Sequence, residues 1–230
     1  MGAKELLGSI AVAGSLMWAS SAYAATVSIG LAEPAGLPTL EASSPDLATF
    51  VGAFGTFSTN IVTGTVGVFP SLLGSTTSNI STATPGTLEV VVTAQGLTTP
   101  TLAFTSSLTS NTLPAGWSVT EQTFVDTANG LFTTTAGGTV TQLAAHVFNN
   151  IDTAVISHIG PDSGSLYSVT EVYLLTSTGA GGPALSTIDV RAGVVPLPGA
   201  LPLLGSGLLG LWAWGRKRRA VSRIQKAAIA

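Results

Sequence analysis

The sequence contains no cysteine. That absence excludes disulfides, thiolate metal sites and a cysteine nucleophile together. It does not argue against export, because only small domains depend on disulfide bridges. Cationic side chains are nearly as scarce. Ten of the 11 acidic residues lie between Glu33 and Asp189, and no Lys or Arg lies among them. Positive charge is confined to Lys4, Arg191 and the residues from Arg216 onward. Such a body repels nucleic acid, since phosphate binding needs Lys and Arg to displace counterions. The same acidity keeps an exported domain soluble and away from anionic headgroups.

Catalytic groups are equally sparse. Nucleophilic catalysis needs a base to activate the hydroxyl and a third group to orient that base. His146 and His158 are the only histidines, and the alternation around each reads as a strand-end residue with a hydrogen-bonded ring. There is no Gly-x-Ser-x-Gly elbow and no glycine-rich phosphate cradle ahead of a helix. Scattered carboxylates show no spacing that selects a glycosidase pair, which needs two acids about 5–9.5 Å apart. Zinc lacks its sulfur ligands. Asp126, Asp152, Asp162 and Glu171 are oxygen donors for calcium, without an EF-hand pattern. Aromatic residues make up 7% of the chain; Trp117, Tyr167 and Tyr173 are the candidates for stacking on sugar, with core packing as the plainer account. The expectation is a non-enzymatic protein with no cofactor.

What is present in quantity is Ser and Thr, nearly a third of the residues from Thr26 to Arg191, interleaved with Val, Leu, Ile and Phe. Alternating β-branched sequence favours strands. Strands are expected at residues 61–69, 87–94, 102–106, 118–125, 139–148, 153–159, 168–176 and 185–191. In the second, Leu88, Val90 and Val92 share a face opposite Glu89, Val91 and Thr93, a half-buried pattern. Pro85-Gly86, Pro114-Ala115-Gly116, Asn129-Gly130, Gly137-Gly138, Gly160-Pro161-Asp162 and residues 179–183 fall between the runs as turns. A short helix is expected at Asp46 to Phe54, and residues 32–45 are expected to cover an edge or stay loose. No repeat of solenoid or propeller period stands out. The body therefore reads as all-β, an antiparallel β-sandwich or jelly-roll-like ectodomain.

The two ends differ from this body. Lys4 gives a weak positive n-region, residues 6–19 an apolar h-region, and Ala22-Tyr23-Ala24 a small-x-small pattern, so signal peptidase is expected to cut before Ala25. At the other end no charge occurs from Gly199 to Gly215. Extended back to Val194, this run reaches the roughly 20 apolar positions that a bilayer core requires of a helix. Trp212 and Trp214 suit the headgroup boundary, and Arg216, Lys217, Arg218 and Arg219 retain the tail on the cytoplasmic side. Residues 1–24 are thus expected to form a signal peptide, 25–191 an exported β domain, 192–198 a linker with a Pro-rich motif, 199–215 a transmembrane helix and 216–230 a basic cytoplasmic tail.

Val195-Pro196-Leu197-Pro198, then Gly199-Ala200-Leu201-Pro202-Leu203-Leu204, then Gly207-Leu208-Leu209-Gly210-Leu211 and the Arg/Lys cluster resemble the PEP-CTERM sorting signal of bacterial surface proteins. The match covers about the last 30 residues. Leu197 stands where the family usually has glutamate, and residues 220–230 continue beyond the cluster, where most members stop. The resemblance implies that an exosortase reads Pro196-Leu197-Pro198 in the inner membrane and releases the upstream domain to the envelope, surface or matrix, with exopolysaccharide as a candidate partner. More weakly, Ser168-Val169-Thr170-Glu171-Val172-Tyr173, a Gly-rich turn and residues 185–190 resemble the final hairpin of such ectodomains. Two other readings stand beside this one: a membrane-anchored glycan- or calcium-binding module, and a secreted hydrolase.

Overall fold

The computed structural model describes residues 25–193, apart from 35, 67–69, 99–102, 161–165 and 180, and apart from the side chains of 60–62. Twelve strands and no helix occur among the described residues. They are β1 (Thr26–Ala32), β2 (Thr39–Pro45), β3 (Leu47–Phe54), β4 (Phe57–Thr65), β5 (Ser71–Thr82) and β6 (Gly86–Leu97). After these come β7 (Ala103–Thr112), β8 (Trp117–Asp126), β9 (Val140–Phe148), β10 (Asp152–Ile159), β11 (Tyr167–Ser177) and β12 (Gly181–Gly193). Sheet A has the order β2-β1-β6-β11-β8-β9 and sheet B the order β10-β7-β12-β5-β4-β3. Every pairing is antiparallel. The all-β sandwich expected from the sequence is therefore present.

Alternation builds each layer. Along β7, Phe104, Ser106, Leu108 and Ser110 are buried and their neighbours are not; along β12, Ala184, Ser186, Ile188, Val190 and Ala192 are buried. These side chains meet Val27, Ile29, Leu31, Val90, Val92, Val119, Tyr173 and Leu175 of sheet A in one core. The outward face of sheet B accounts for much of the threonine. Pairing registers place Thr49, Thr63, Thr76, Thr187, Thr109 and Thr153 in one row across all six strands. Its charges there, Asp189 and Arg191, pair with each other at 2.5 Å.

Seven of the eight expected strands appear near their expected bounds, most of them longer than anticipated, whereas the one expected at 61–69 is placed earlier, at Phe57–Thr65, and 67–69 lie outside the described residues. The helix expected at Asp46 to Phe54 is instead β3. Its burial alternates with period 2, with Ala48 inward while Leu47, Thr49 and Val51 are exposed, and that period has no helical face. Asp46 supplies the bend, with φ at 61° and its N–H bonded to the Ala25 carbonyl at 3.1 Å. Asp tolerates this left-handed conformation better than most residues. Residues 39–45 are an edge strand of sheet A. The last strand runs two residues past the expected domain end, through Gly193. β11 and β12 form no hairpin, because they lie in opposite sheets; the Gly-rich connection is an arch across the sandwich.

β6 is not half-buried either. Val91 and Thr93 on its outer face are as buried as Val90 and Val92 on the inner one. The β8–β9 connection folds over that face, and Phe132 and Val140 pack on Val91, Phe124 and Val172 as a second, small core. Gly30 admits this cover, since a Cβ there would stand 2.8 Å from the Phe132 ring.

Candidate functional site

Of the residues singled out as signals, Ala25 is described: it is buried, and β1 starts beside it at Thr26. Ala22 and Ala24, the motif Val195-Pro196-Leu197-Pro198, the apolar run 199–215 and the cluster Arg216, Lys217, Arg218 and Arg219 lie outside the described residues. The three calcium candidates that are described sit apart. Asp126 accepts the N–H of Ala128 at 2.8 Å and of Gly130 at 3.0 Å, fastening the β8–β9 connection. Asp152 accepts the Thr153 N–H at 2.8 Å at the start of β10. Glu171 points into the core. No group of three acids or histidines able to hold a metal occurs among the described residues.

The other candidates are also separated. His146 is on β9 in sheet A, its ring 4.4 Å from that of Phe148. His158 is on β10 in sheet B, and its Nδ1 is buried without a hydrogen-bond partner. The ring hydrogen bond expected there is absent at that nitrogen. Trp117, Tyr167 and Tyr173 are all buried, so none of the three offers a face to a sugar. Trp117 stands edge-on to Phe57 at 6.3 Å. Tyr173 accepts the Ile188 N–H at 2.9 Å, donates to the Ser75 carbonyl at 2.9 Å and lies 2.7 Å from Ser75 Oγ. It ties the centre of sheet A to the centre of sheet B.

Around Tyr173 is a polar seam in which Glu171, singled out from the sequence for calcium, meets Glu121, which the sequence reading passed over. Glu121 and Glu171 are fully buried on the inner face of neighbouring strands, β8 and β11. Ser75 Oγ donates to Glu171 Oε2, while Glu171 Oε1 has no partner. Burial, with smaller contributions from the charges of Asp189 and Glu121, holds the Glu171 carboxyl well above its ordinary pKa. Burial pushes Glu121 up to about 8; Ser186 and the Thr109 backbone temper the shift. Neither carboxyl oxygen of Glu121 reaches full hydrogen-bond geometry, and the same holds for Ser186 Oγ and Ser110 Oγ. Arg191 offers no relief, being on the outer face with Asp189. An interior without cations thus favours the protonated form of both acids, because the charged form there is costly. Sealed from solvent, they have no substrate to protonate and serve as core. A signal for them exists in the sequence: Trp117-Ser118-Val119-Thr120-Glu121 and Tyr167-Ser168-Val169-Thr170-Glu171 are two copies of one aromatic-Ser-Val-Thr-Glu pattern, set on adjacent strands.

Two open concavities are lined by described residues. One, of about 280 Å³, is lined by Glu33, Pro34, Phe54, Phe57 and Pro85. The larger, of about 430 Å³, lies on the outer face of sheet A between Leu37 and Pro38 on one side and Phe132 to Thr135 on the other, with Glu89 among its lining. Glu89 is half-buried on β6, and burial raises its carboxyl pKa. Polar groups converging on a partly apolar cleft are what a small-ligand site requires.

No family model and no curated protein matches the chain. Among solved structures it is similar to one described as carbohydrate-binding modules of the β-sandwich superfamily, at 11% identity, with 73% of this chain and 84% of that one covered and a TM-score of 0.30. It is also similar to the enzymatically active domain of tailspike protein 4 of bacteriophage CBA120, at 11% identity and a TM-score of 0.29, over 72% of this chain and 18% of that one. Likenesses this distant assign nothing to the chain. What the chain's own residues show is a sandwich with a sealed acidic seam, a hydroxyl-covered face on sheet B and one polar-apolar cleft on sheet A.

Proposed function

We propose that the chain is a non-enzymatic exported protein, delivered by an N-terminal signal peptide and a PEP-CTERM-like C-terminal signal to the cell surface or extracellular matrix. The observation that carries this reading is an order of features. A β domain whose last strand is described as far as Gly193 is followed two residues later by Val195-Pro196-Leu197-Pro198, an uncharged run and four consecutive cations. The apolar run holds the chain in the bilayer and the cations fix its inner end. An exosortase acting at Pro196-Leu197-Pro198 releases residues 25–193 with every strand intact. Cleavage by signal peptidase before Ala25 likewise leaves β1 whole. The absence of cations from the body before Arg191 keeps the released domain off anionic lipid.

Intact-mass analysis of the protein from its own cells tests this. The expected mature species begins at Ala25 and lacks the residues beyond the Pro196 region. A species that retains its C-terminus through Ala230 in the membrane fraction would mean a plain anchor, and the sorting reading would be withdrawn.

A further inference from the structure

We propose that the cleft lined by Glu89, Leu37, Phe132 and Thr133 to Thr135 binds a hexose unit of an extended, neutral glycan. The half-buried Glu89 carboxyl makes no hydrogen bond or ion pair with any described residue, although an acid partly withdrawn from water needs a partner to offset that loss. Its place in the cleft wall leaves an incoming ligand to supply one. Thr134 and Thr135 add hydroxyls that both donate and accept, while the Thr133 hydroxyl is buried behind them.

The apolar half of the cleft is accounted for by folding only in part, since Phe132 also covers the small outer core while Leu37 covers nothing. Leu37 is 93% exposed and supports nothing in the core. Phe132 is held at φ 53°, a conformation that is costly for a bulky residue and persists where the surroundings enforce it. Its N–H is bonded to Thr93 Oγ1 at 3.3 Å, and its ring rests against the bare backbone of Gly30. The strain fixes an aromatic side chain at the cleft wall, where C–H faces of a sugar pack well.

Charge selects among ligands. An anionic polymer meets a carboxylate and no cation lining the cleft. Calcium asks for six to eight oxygens, usually with several carboxylates, and one is present. An amine would satisfy Glu89 but leave the Thr134 and Thr135 hydroxyls without a role. A neutral sugar uses the carboxylate, the hydroxyls and the apolar wall together. This assignment goes beyond the sorting reading and is independent of it: the sandwich binds glycan whether or not its C-terminus is removed.

The test is calorimetric titration of the full chain, held in lipid nanodiscs, with cellohexaose, laminarihexaose, mannohexaose and xylohexaose, and with alginate and a lysine-rich peptide for contrast. At least one neutral hexasaccharide is expected to bind. Glu89→Gln should weaken it about tenfold or more, the loss of hydrogen bonds to a charged acceptor. Leu37→Ser, at a site with no packing role, should weaken it several-fold with an unchanged melting temperature. Thr153→Val and Thr187→Val on the opposite sheet should leave it unaltered. Binding to none of the neutral sugars, preference for alginate or the peptide, or affinity unchanged by both Glu89→Gln and Leu37→Ser would each overturn the proposal. Failure of sorting would be read from the C-terminal mass instead, so the two outcomes stay separate.

Discussion

Glu121 and Glu171 sit in the one environment where a carboxyl keeps its proton, a dry interior with no cation. The unfolded chain releases that proton near pH 4.5, whereas folded Glu121 holds it until about pH 8. Between those values the folded state binds more protons than the unfolded state, so stability falls as pH rises. The contribution is fully present below about pH 4.5 and lost above about pH 8. For Glu121 alone the difference is of the order of 5 kcal/mol, and Glu171 acts in the same direction. Glu121→Gln, a neutral side chain of the same shape, should therefore flatten the dependence. Urea melts at pH 5 and pH 9 should show wild type losing several kcal/mol and the variant clearly less; equal losses would mean that Glu121 is not the group involved. At this scale the sequence was legible only in part. Alternation places Glu121 and Glu171 on the same faces as Val119 and Val169, but polarity alone sends them outward, and the opposing Ser75, Ser110 and Ser186 become visible only when the sheets are stacked.

Among the elements, the β8–β9 connection does most to shape a surface. It covers Val91, Phe124 and Val172 and carries Phe132 to Thr135 to the cleft. What holds it is mainly side chain to backbone. Asp126 takes two N–H groups, Asn129 Oδ1 takes the Gly96 N–H at 2.8 Å, and Ser168 Oγ donates to the Gly130 carbonyl at 2.7 Å. Asp126→Ala removes the acceptor and leaves both N–H groups unpaired, at a cost of about 2–3 kcal/mol. Hydrogen exchange should show lost protection concentrated at residues 128–135, with β6 and β11 protected as before; a uniform loss would mean that the connection is part of the global unfolding unit. Turn residues Asn129-Gly130 and Gly137-Gly138 were readable from their chemistry. The cover itself was not, because a loop's own sequence does not say which sheet face it will lie on. β5 escaped for a related reason. Its Ser-, Gly- and Asn-rich sequence reads as a loop, and it becomes a central strand because small side chains fit opposite Tyr173 and Glu171.

For the whole molecule, the decisive feature is where the last two strands go. β11 enters sheet A between β6 and β8, and β12 enters sheet B between β7 and β5. Without them each sheet is two fragments. A processing step that removed any of β12 would open sheet B at its middle, so release compatible with a folded product has to fall after Gly193. The Pro196-Leu197-Pro198 motif lies just beyond that limit. This proximity separates the two roles proposed for the C-terminal region, holding the chain in the bilayer and marking it for release. Replacing Pro196 and Pro198 together by alanine alters only the motif. The uncharged run 199–215 and the cations 216–219 remain, and so does the sandwich. The double variant should therefore be exported, folded and retained in the inner membrane, while wild type moves to the envelope or medium. Fractionation with protease protection reads all three properties at once: a protease-resistant sandwich core accessible from outside the cytoplasm, found with the inner membrane only in the variant. Equal appearance of both proteins at the surface would show that release does not read the prolines, leaving the apolar run as a simple anchor cut by some other means.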